Sequence, residues 1–346
     1  MNKALLKYHF RVWKRRLVDG LLLRGWRFRM PDTLVIETTN RCTLACSCCP
    51  NGIPGVKLRE RGVMTRETFD RVLQNLDFPA RQCFLHLCGE PFLNKDLVYF
   101  VRQLMARKIL PVVFSNGYRI DEGLLRELLS VRGVKIAFSM DLLSKTHYEQ
   151  IRTPARYEEA EAALLRIDRI FAEAKRHYGL NMIVDGSHVE DLEAVCHSLF
   201  DRFGQLNTIS LSVAWPWPAL PHTGDLSGHL ASHSDLCNQA SGMLSVLWNG
   251  DVAFCSFDYS GDTVVGSMLK DSYRHLYNAS ATRRLRRQLL LTHRADNPLC
   301  ANCLLGRFES QSKLFTRASF QRATPEERAR MFLKFQTKDP ANTVNL

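Results

Sequence analysis

Six short apolar runs alternate with amphipathic stretches between residues 33 and 214, and this alternation limits the fold more than any other feature of the chain. TLVIE (33–37), CFLHL (83–87), LPVVFSNG (110–117), VKIAFSMD (134–141), NMIVDG (181–186) and TISLSVA (208–214) read as strands. Helical patterns fill 65–77, 97–108, 121–130, 157–178 and 189–203, with Thr65 placed to cap the first. Parallel strands need crossover connections of this length. The sequence therefore predicts an α/β fold of six βα units, either curled into a partial (β/α)6 barrel or laid out as an open sheet. In both arrangements, reactive groups gather at the C-terminal strand ends. Four segments follow strands directly and so converge on one mouth: the loop holding Cys42, Cys46, Cys48 and Cys49, then Glu90, then Ser115–Asn116, then Ser139–Asp141.

The first of these segments is the most specific. In ETTNRCTLACSCCPNG (37–52), Cys42, Cys46 and Cys49 stand at C-x3-C-x2-C spacing. Three thiolates can hold three irons of a cubane cluster and leave the fourth iron open for a ligand. Zinc is the competing metal, but a structural zinc site wants four ligands in pairs. Cys48 is adjacent to Cys49, so the two cannot easily ligate one ion. The chain shows no apolar run of transmembrane length and no signal-peptide pattern, since Lys14, Arg15 and Arg16 break the first apolar stretch. The expected compartment is the cytoplasm, where eleven cysteines read as metal ligands or reactive thiols before disulfides.

With these residues in view, the chain resembles the radical S-adenosylmethionine (radical SAM) superfamily. The likeness begins with NRCTLACSCCPN after the first strand and extends over most of the chain. CGEP (88–91) is similar to the segment whose Gly and Glu bind the SAM amino group, which implies that role for Gly89 and Glu90. FSNG and FSMD resemble the segments after the next two strands, implying SAM contacts from Ser115, Asn116, Ser139 and Asp141. Strand-end capping is the plainer reading of these four. YEQIR puts Arg152 where family members contact the SAM carboxylate. The family usually has a bulky or aromatic residue before the third cysteine; here it is Cys48. The resemblance implies SAM and a 4Fe–4S cluster as cofactors, and reductive cleavage of SAM to a 5′-deoxyadenosyl radical that removes a hydrogen atom from substrate.

A second cysteine set follows. LSVLWNGDVAFCSFD (244–258) reads as a β-hairpin around Asn249–Gly250, and Cys237, Cys255, Cys300 and Cys303 surround it. Four thiols make a closed site for zinc or a cluster. Their order resembles the Twitch form of the SPASM domain, which implies a second, auxiliary 4Fe–4S cluster fully ligated by protein. The implied organisation is a basic amphipathic helix (1–30), a barrel core (31–225), an auxiliary domain (226–305) and a helical tail (306–346). Cys83 and Cys196 read as core. Cys88, at a strand end, is a candidate hydrogen-atom donor. Asp258 is a candidate base, or simply a turn acid.

Charge is uneven. The chain carries a net +12, and residues 1–30 hold nine Lys or Arg against one acid. Leu6, Phe10, Trp13, Leu17 and Leu21 share one helical face there, so the segment either packs on the domain or lies on an anionic membrane surface. No nucleic-acid motif accompanies the charge. A fully ligated auxiliary cluster suits two-electron oxidation. The expected function is radical oxidation or epimerisation of a hydroxylated small molecule such as a sugar or aminocyclitol, served by a flavodoxin or ferredoxin. Modification of a peptide or a lipid-linked substrate is the alternative, and a zinc-binding interaction scaffold is the reading from another class.

Overall fold

The computed structural model describes residues 30–184, 192–213, 243–290, 300, 303, 313–328 and 332. The basic N-terminal helix, the 214–225 loop, Cys237 and most of the tail lie outside these residues.

Six parallel strands form the centre of the fold: β1 (Thr33–Ile36), β2 (Gln82–Phe84), β3 (Leu110–Ser115), β4 (Lys135–Ser139), β5 (Tyr178–Val184) and β6 (Leu206–Val213). They stand in chain order, each parallel to the next. The crossovers carry α1 (Arg66–Gln74), α2 (Leu97–Ala106), α3 (Glu122–Ser130), α4 (Lys145–Ile151) with α5 (Tyr157–Glu173), and α6 (Leu192–Arg202). This is the predicted partial barrel. The Thr65 hydroxyl accepts from Thr68 N at 3.2 Å and starts α1. Asp121 starts α3 in the same way, accepting from Leu124 N at 3.0 Å. Such caps satisfy N–H groups that have no partner within the helix.

The two faces of the sheet differ. Cys83, Val113, Phe138, Leu180 and Ile209 point under the helices and are all buried. Register partners such as Phe114 and Ala137, or Asn181 and Ser210, point to the concave side and stay half-buried. The helix layer is close-packed; Phe69 of α1 and Phe100 of α2 stack with centroids 4.1 Å apart and no exposure.

Two features were not legible in the sequence. The helix α4 precedes Arg152; the Ser144 hydroxyl caps it, accepting from His147 N at 3.2 Å. The C-terminal strands also join the same sheet. β7 (Ser245–Val246) runs parallel to β1, and β8 (Asp251–Ala253) and β9 (Val264–Ser267) extend it antiparallel. β10 (Lys313–Thr316) lies antiparallel on β6 at the other end, in the segment expected to be a helical tail. Ten strands thus make one sheet, and C-terminal strands cover both outer strands of the barrel. The predicted hairpin is present, but it is hydrogen-bonded to the barrel. Beyond it come α7 (Tyr273–Asn278), α8 (Ser280–Leu290) and α9 (Arg317–Arg322). Among the described residues, no helix is long and apolar enough to cross a membrane.

Phe100→Ala should destabilise the protein by about 3–5 kcal/mol, because the stacked pair leaves a void that neighbouring helices cannot close. Chemical denaturation under anaerobic conditions measures it.

Candidate active site

The cysteine loop leaves β1 and is held on two sides. The Asn40 side chain spans to a strap at residues 59–63: its Nδ2 donates to Glu60 O at 2.7 Å and its Oδ1 accepts from Gly62 N at 2.8 Å. On the other side, Ala45 N donates to Thr153 O at 2.7 Å and Ser47 N to Ile151 O at 3.0 Å. The loop therefore rests on the end of α4. It closes through a turn at Pro50–Gly52, where a Cβ on Gly52 would lie 2.2 Å from Ala45 O.

The sulfurs meet directed donors. Cys42 Sγ accepts from Leu44 N at 3.5 Å and from Asn116 Nδ2 at 3.7 Å, and Cys46 Sγ from Arg152 Nη1 at 3.9 Å. Burial pushes all four thiols up, Cys48 and Cys49 to about 12. A buried thiol gives up its proton only to a cationic partner, and metal binding supplies one. Among the described residues, no group of three His, Cys, Asp or Glu is arranged to hold a single metal ion. Soft sulfur donors on a desolvated loop, with N–H groups aimed at them, fit an iron–sulfur cluster.

The other strand ends supply carboxylates and an arginine. Gly89 is packed against the cysteine loop: an added Cβ would lie 2.1 Å from Thr39 O. Glu90 is buried, and burial raises its pKa although Asn116 N donates to Oε2 at 2.7 Å and Phe92 N to Oε1 at 3.1 Å. Ser115 and Asn116 do cap their strand end, accepting from Gly117 N and Tyr118 N at 3.0 Å each. The Asn116 amide nitrogen still reaches Cys42. Ser139 is half-buried on the concave side. Asp141 is wholly buried; Arg152 Nε donates to it at 2.6 Å and Ile183 N at 2.6 Å. Burial alone would weaken the charge on Arg152, but Asp141, Cys46 and Cys48 outweigh it and hold the guanidinium protonated.

Sequence reasoning missed a second buried pair. Glu37, directly after β1, takes 2.8 Å hydrogen bonds from Arg59 Nη1 and Nη2 and has no exposure. A carboxylate ending an apolar strand was the only signal. Arg59 also ties to the C-terminal region, its N donating to Tyr259 O at 3.3 Å. Cys88 is buried against this pair. Burial first, then Glu37, push its thiol well above the ordinary range, so it keeps its proton. Asp258 accepts from Gly261 N, Asp262 N, Thr263 N, Thr263 Oγ1 and Ser260 Oγ at 2.6–3.3 Å. Five donors leave it no lone pair for a base's work, and it organises the turn. Cys255 is buried, with Phe257 N donating to its sulfur at 3.4 Å. Cys303 N donates to Cys300 O at 3.2 Å, closing the C-x2-C turn.

His86 lies two residues before Cys88 on the concave side. Its ring packs on Phe114 at 4.6 Å, and its buried Nδ1 has no hydrogen-bond partner. Burial lowers its pKa to about 4.

Comparison with known proteins fits this geometry. Residues 36–199 match the model of the Radical SAM superfamily, and residues 237–304 that of an iron–sulfur cluster-binding domain, SPASM. The chain belongs to the radical SAM superfamily and carries a SPASM-type domain after the barrel. The first domain type binds SAM and a 4Fe–4S cluster; the second binds auxiliary clusters. The PqqA peptide cyclase of Granulibacter bethesdensis is 25% identical over 165 residues, 47% of this chain and 42% of that protein. The match thus spans less than half of the relative's length. The structure of BtrN in complex with AdoMet and 2-DOIA aligns with a TM-score of 0.53 at 18% identity, over 80% of this chain and 94% of that one. Streptococcus suis SuiB bound to precursor peptide SuiA aligns at 0.62 and 12% identity, over 86% and 74%. At these identities the structural likeness is one of fold.

Two outcomes test the site. Arg59→Met should cost about 3–5 kcal/mol by leaving Glu37 buried without its counter-ion, and adding Glu37→Gln should restore much of it; a double-mutant cycle in denaturant reads both. His86 titrates near 6.5 when unfolded and about 4 when folded, so the unfolded chain binds the extra proton between them. Its contribution to stability is therefore lost as pH falls from about 6.5 toward 4, and His86→Phe should lose less Tm over that interval.

Proposed function

We propose that this protein cleaves SAM reductively and uses the resulting radical to oxidise or epimerise a hydroxylated small molecule. The observation that carries this is the joint placement of a three-thiol loop, Glu90 and the Asp141–Arg152 pair at adjacent C-terminal strand ends. When bound, the cluster and SAM supply a 5′-deoxyadenosyl radical able to remove a hydrogen atom from an unactivated carbon.

The chain's own residues hold and orient. Cys42, Cys46 and Cys49 are assigned to the cluster. Gly89 lets the loop lie flat on Thr39, and Glu90, held by two backbone N–H groups, keeps lone pairs for the SAM ammonium. Asp141 fixes Arg152 by its Nε and Nη1 leans on Cys46, so the guanidinium N–H groups bonded to neither can take a carboxylate there. Ser115, Asn116 and Ser139 border the same space. Cys88, kept as a thiol, suits return of a hydrogen atom to a substrate radical. Cys237, Cys255, Cys300 and Cys303 are assigned to the auxiliary cluster, with Cys237 outside the described residues. A low-potential flavodoxin or ferredoxin is the proposed reductant.

Peptide modification is the second reading. It is favoured by the relative named a PqqA peptide cyclase and by the SuiB structure with its precursor peptide, both acting or seated on peptides by their names.

Anaerobic reconstitution with iron and sulfide should load about eight irons per chain. Reduction with SAM should then give 5′-deoxyadenosine, which the Cys42→Ala, Cys46→Ala, Cys49→Ala variant loses. Correctly loaded protein that leaves SAM intact would refute the proposal.

A further inference from the structure

Resting on that function, we infer that the concave face of the sheet is an electrically neutral, two-walled chamber for an uncharged polyhydroxylated ring. The argument begins with register. Phe84, His86 and Phe114 share the concave side at β2 and β3, as do Asn181, Ser210 and Ser212 at β5 and β6. All six are half-buried, while the alternate positions on the same strands lie under the helices. The concave side is therefore open to a ligand.

The walls differ in chemistry. Phe84 and Phe114 stand 6.1 Å apart at 27°, and the His86 ring sits against both, 5.6 Å from Phe84 and 4.6 Å from Phe114. This is a largely aromatic surface in which the His86 imidazole stands edge-on to both phenyl rings, its Nδ1 buried and unpartnered. The opposite wall is hydroxyl and amide. The side chains of Asn181, Ser210 and Ser212 make no hydrogen bond to another described residue. Buried or half-buried polar groups of this kind take their partners from what fills the space. An aromatic surface facing free hydroxyl and amide groups matches a ring with C–H faces and hydroxyl edges.

Neutrality comes from the ends of the chamber. Of the three buried carboxylates at that end, Glu37 is compensated by Arg59 and Asp141 by Arg152, each arginine keeping about a tenth of its side chain exposed, and Glu90 is the one assigned above to the SAM ammonium. Along the concave rows of β2 to β6 the one charged residue is Lys135, exposed at the far, N-terminal end of β4. A phosphate or ammonium placed between Phe114 and Ser210 would lose its hydration with no counter-charge in these rows.

The test uses the full reconstituted chain with SAM. The probes are myo-inositol and methyl glucoside, their charged counterparts inositol 1-phosphate and glucosamine, and a mixed tetrapeptide pool. Probe-dependent 5′-deoxyadenosine, above the probe-free level, should be at least about tenfold higher for the neutral rings than for the charged ones. Ser210→Asp should reverse the ratio of methyl glucoside to glucosamine, a shift in preference that a merely damaged fold would not give. Saturation-transfer NMR on the protein before reconstitution reads the same binding order without SAM cleavage. Failure to cleave SAM with any probe or none would refute the proposed function, and the NMR order would still judge the chamber. Stronger binding of a charged probe or the peptide pool, or no binding of either neutral ring, overturns the inference.

Discussion

Asp141 and Arg152 hold each other at 2.6 Å with almost no access to water, and the mouth of the barrel is built around them. Neither group is tolerable there alone, because an isolated buried charge loses far more hydration than the protein returns. The pair ties the end of β4 to the end of α4. Through Ile183 N it also ties β4 to β5. The cysteine loop then lies on the same end of α4, and Arg152 reaches Cys46. One ion pair thus sets the height at which sulfur, carboxylate and guanidinium meet.

Glu37 and Arg59 repeat the solution at the opposite side of the mouth. Here the strap at residues 59–63 carries the arginine over β1 and onto the turn after Cys255. Trp248 adds to the join, its Nε1 donating to Glu60 O at 3.2 Å and its ring lying where a side chain on Gly62 would be. Together with the β1–β7 pairing, this makes the SPASM-type region a continuation of the barrel's sheet. The first cysteine loop and Cys255 are thereby attached to strands of one sheet.

Much of the barrel was legible. Its strands are continuous apolar runs and its helices carry capping residues and periodic faces, both local properties that survive reading one residue at a time. The Thr65 cap and the hairpin around Asn249–Gly250 are such cases. The helix α4 was not legible, because seven residues give too short a period, and β10 was hidden in a polar segment where four residues alternate. Glu37 and Arg59 lie 22 positions apart, and nothing in the chain between them marks a pair. Asp258 looked like a base by its position after a cysteine; only the five donors around it gave it a turn to organise.

The sequence by itself determined the α/β class, the family likeness and the residues able to bind sulfur-loving metal, because strand period, cysteine spacing and short motifs are encoded locally. The tertiary structure alone decided which charges are paired, which polar groups are left unpaired on the concave face, and that the C-terminal strands complete the barrel's sheet. Those outcomes depend on burial and on contacts between distant segments. Burial fixes the cost of a charge, and a linear chain does not state its own burial.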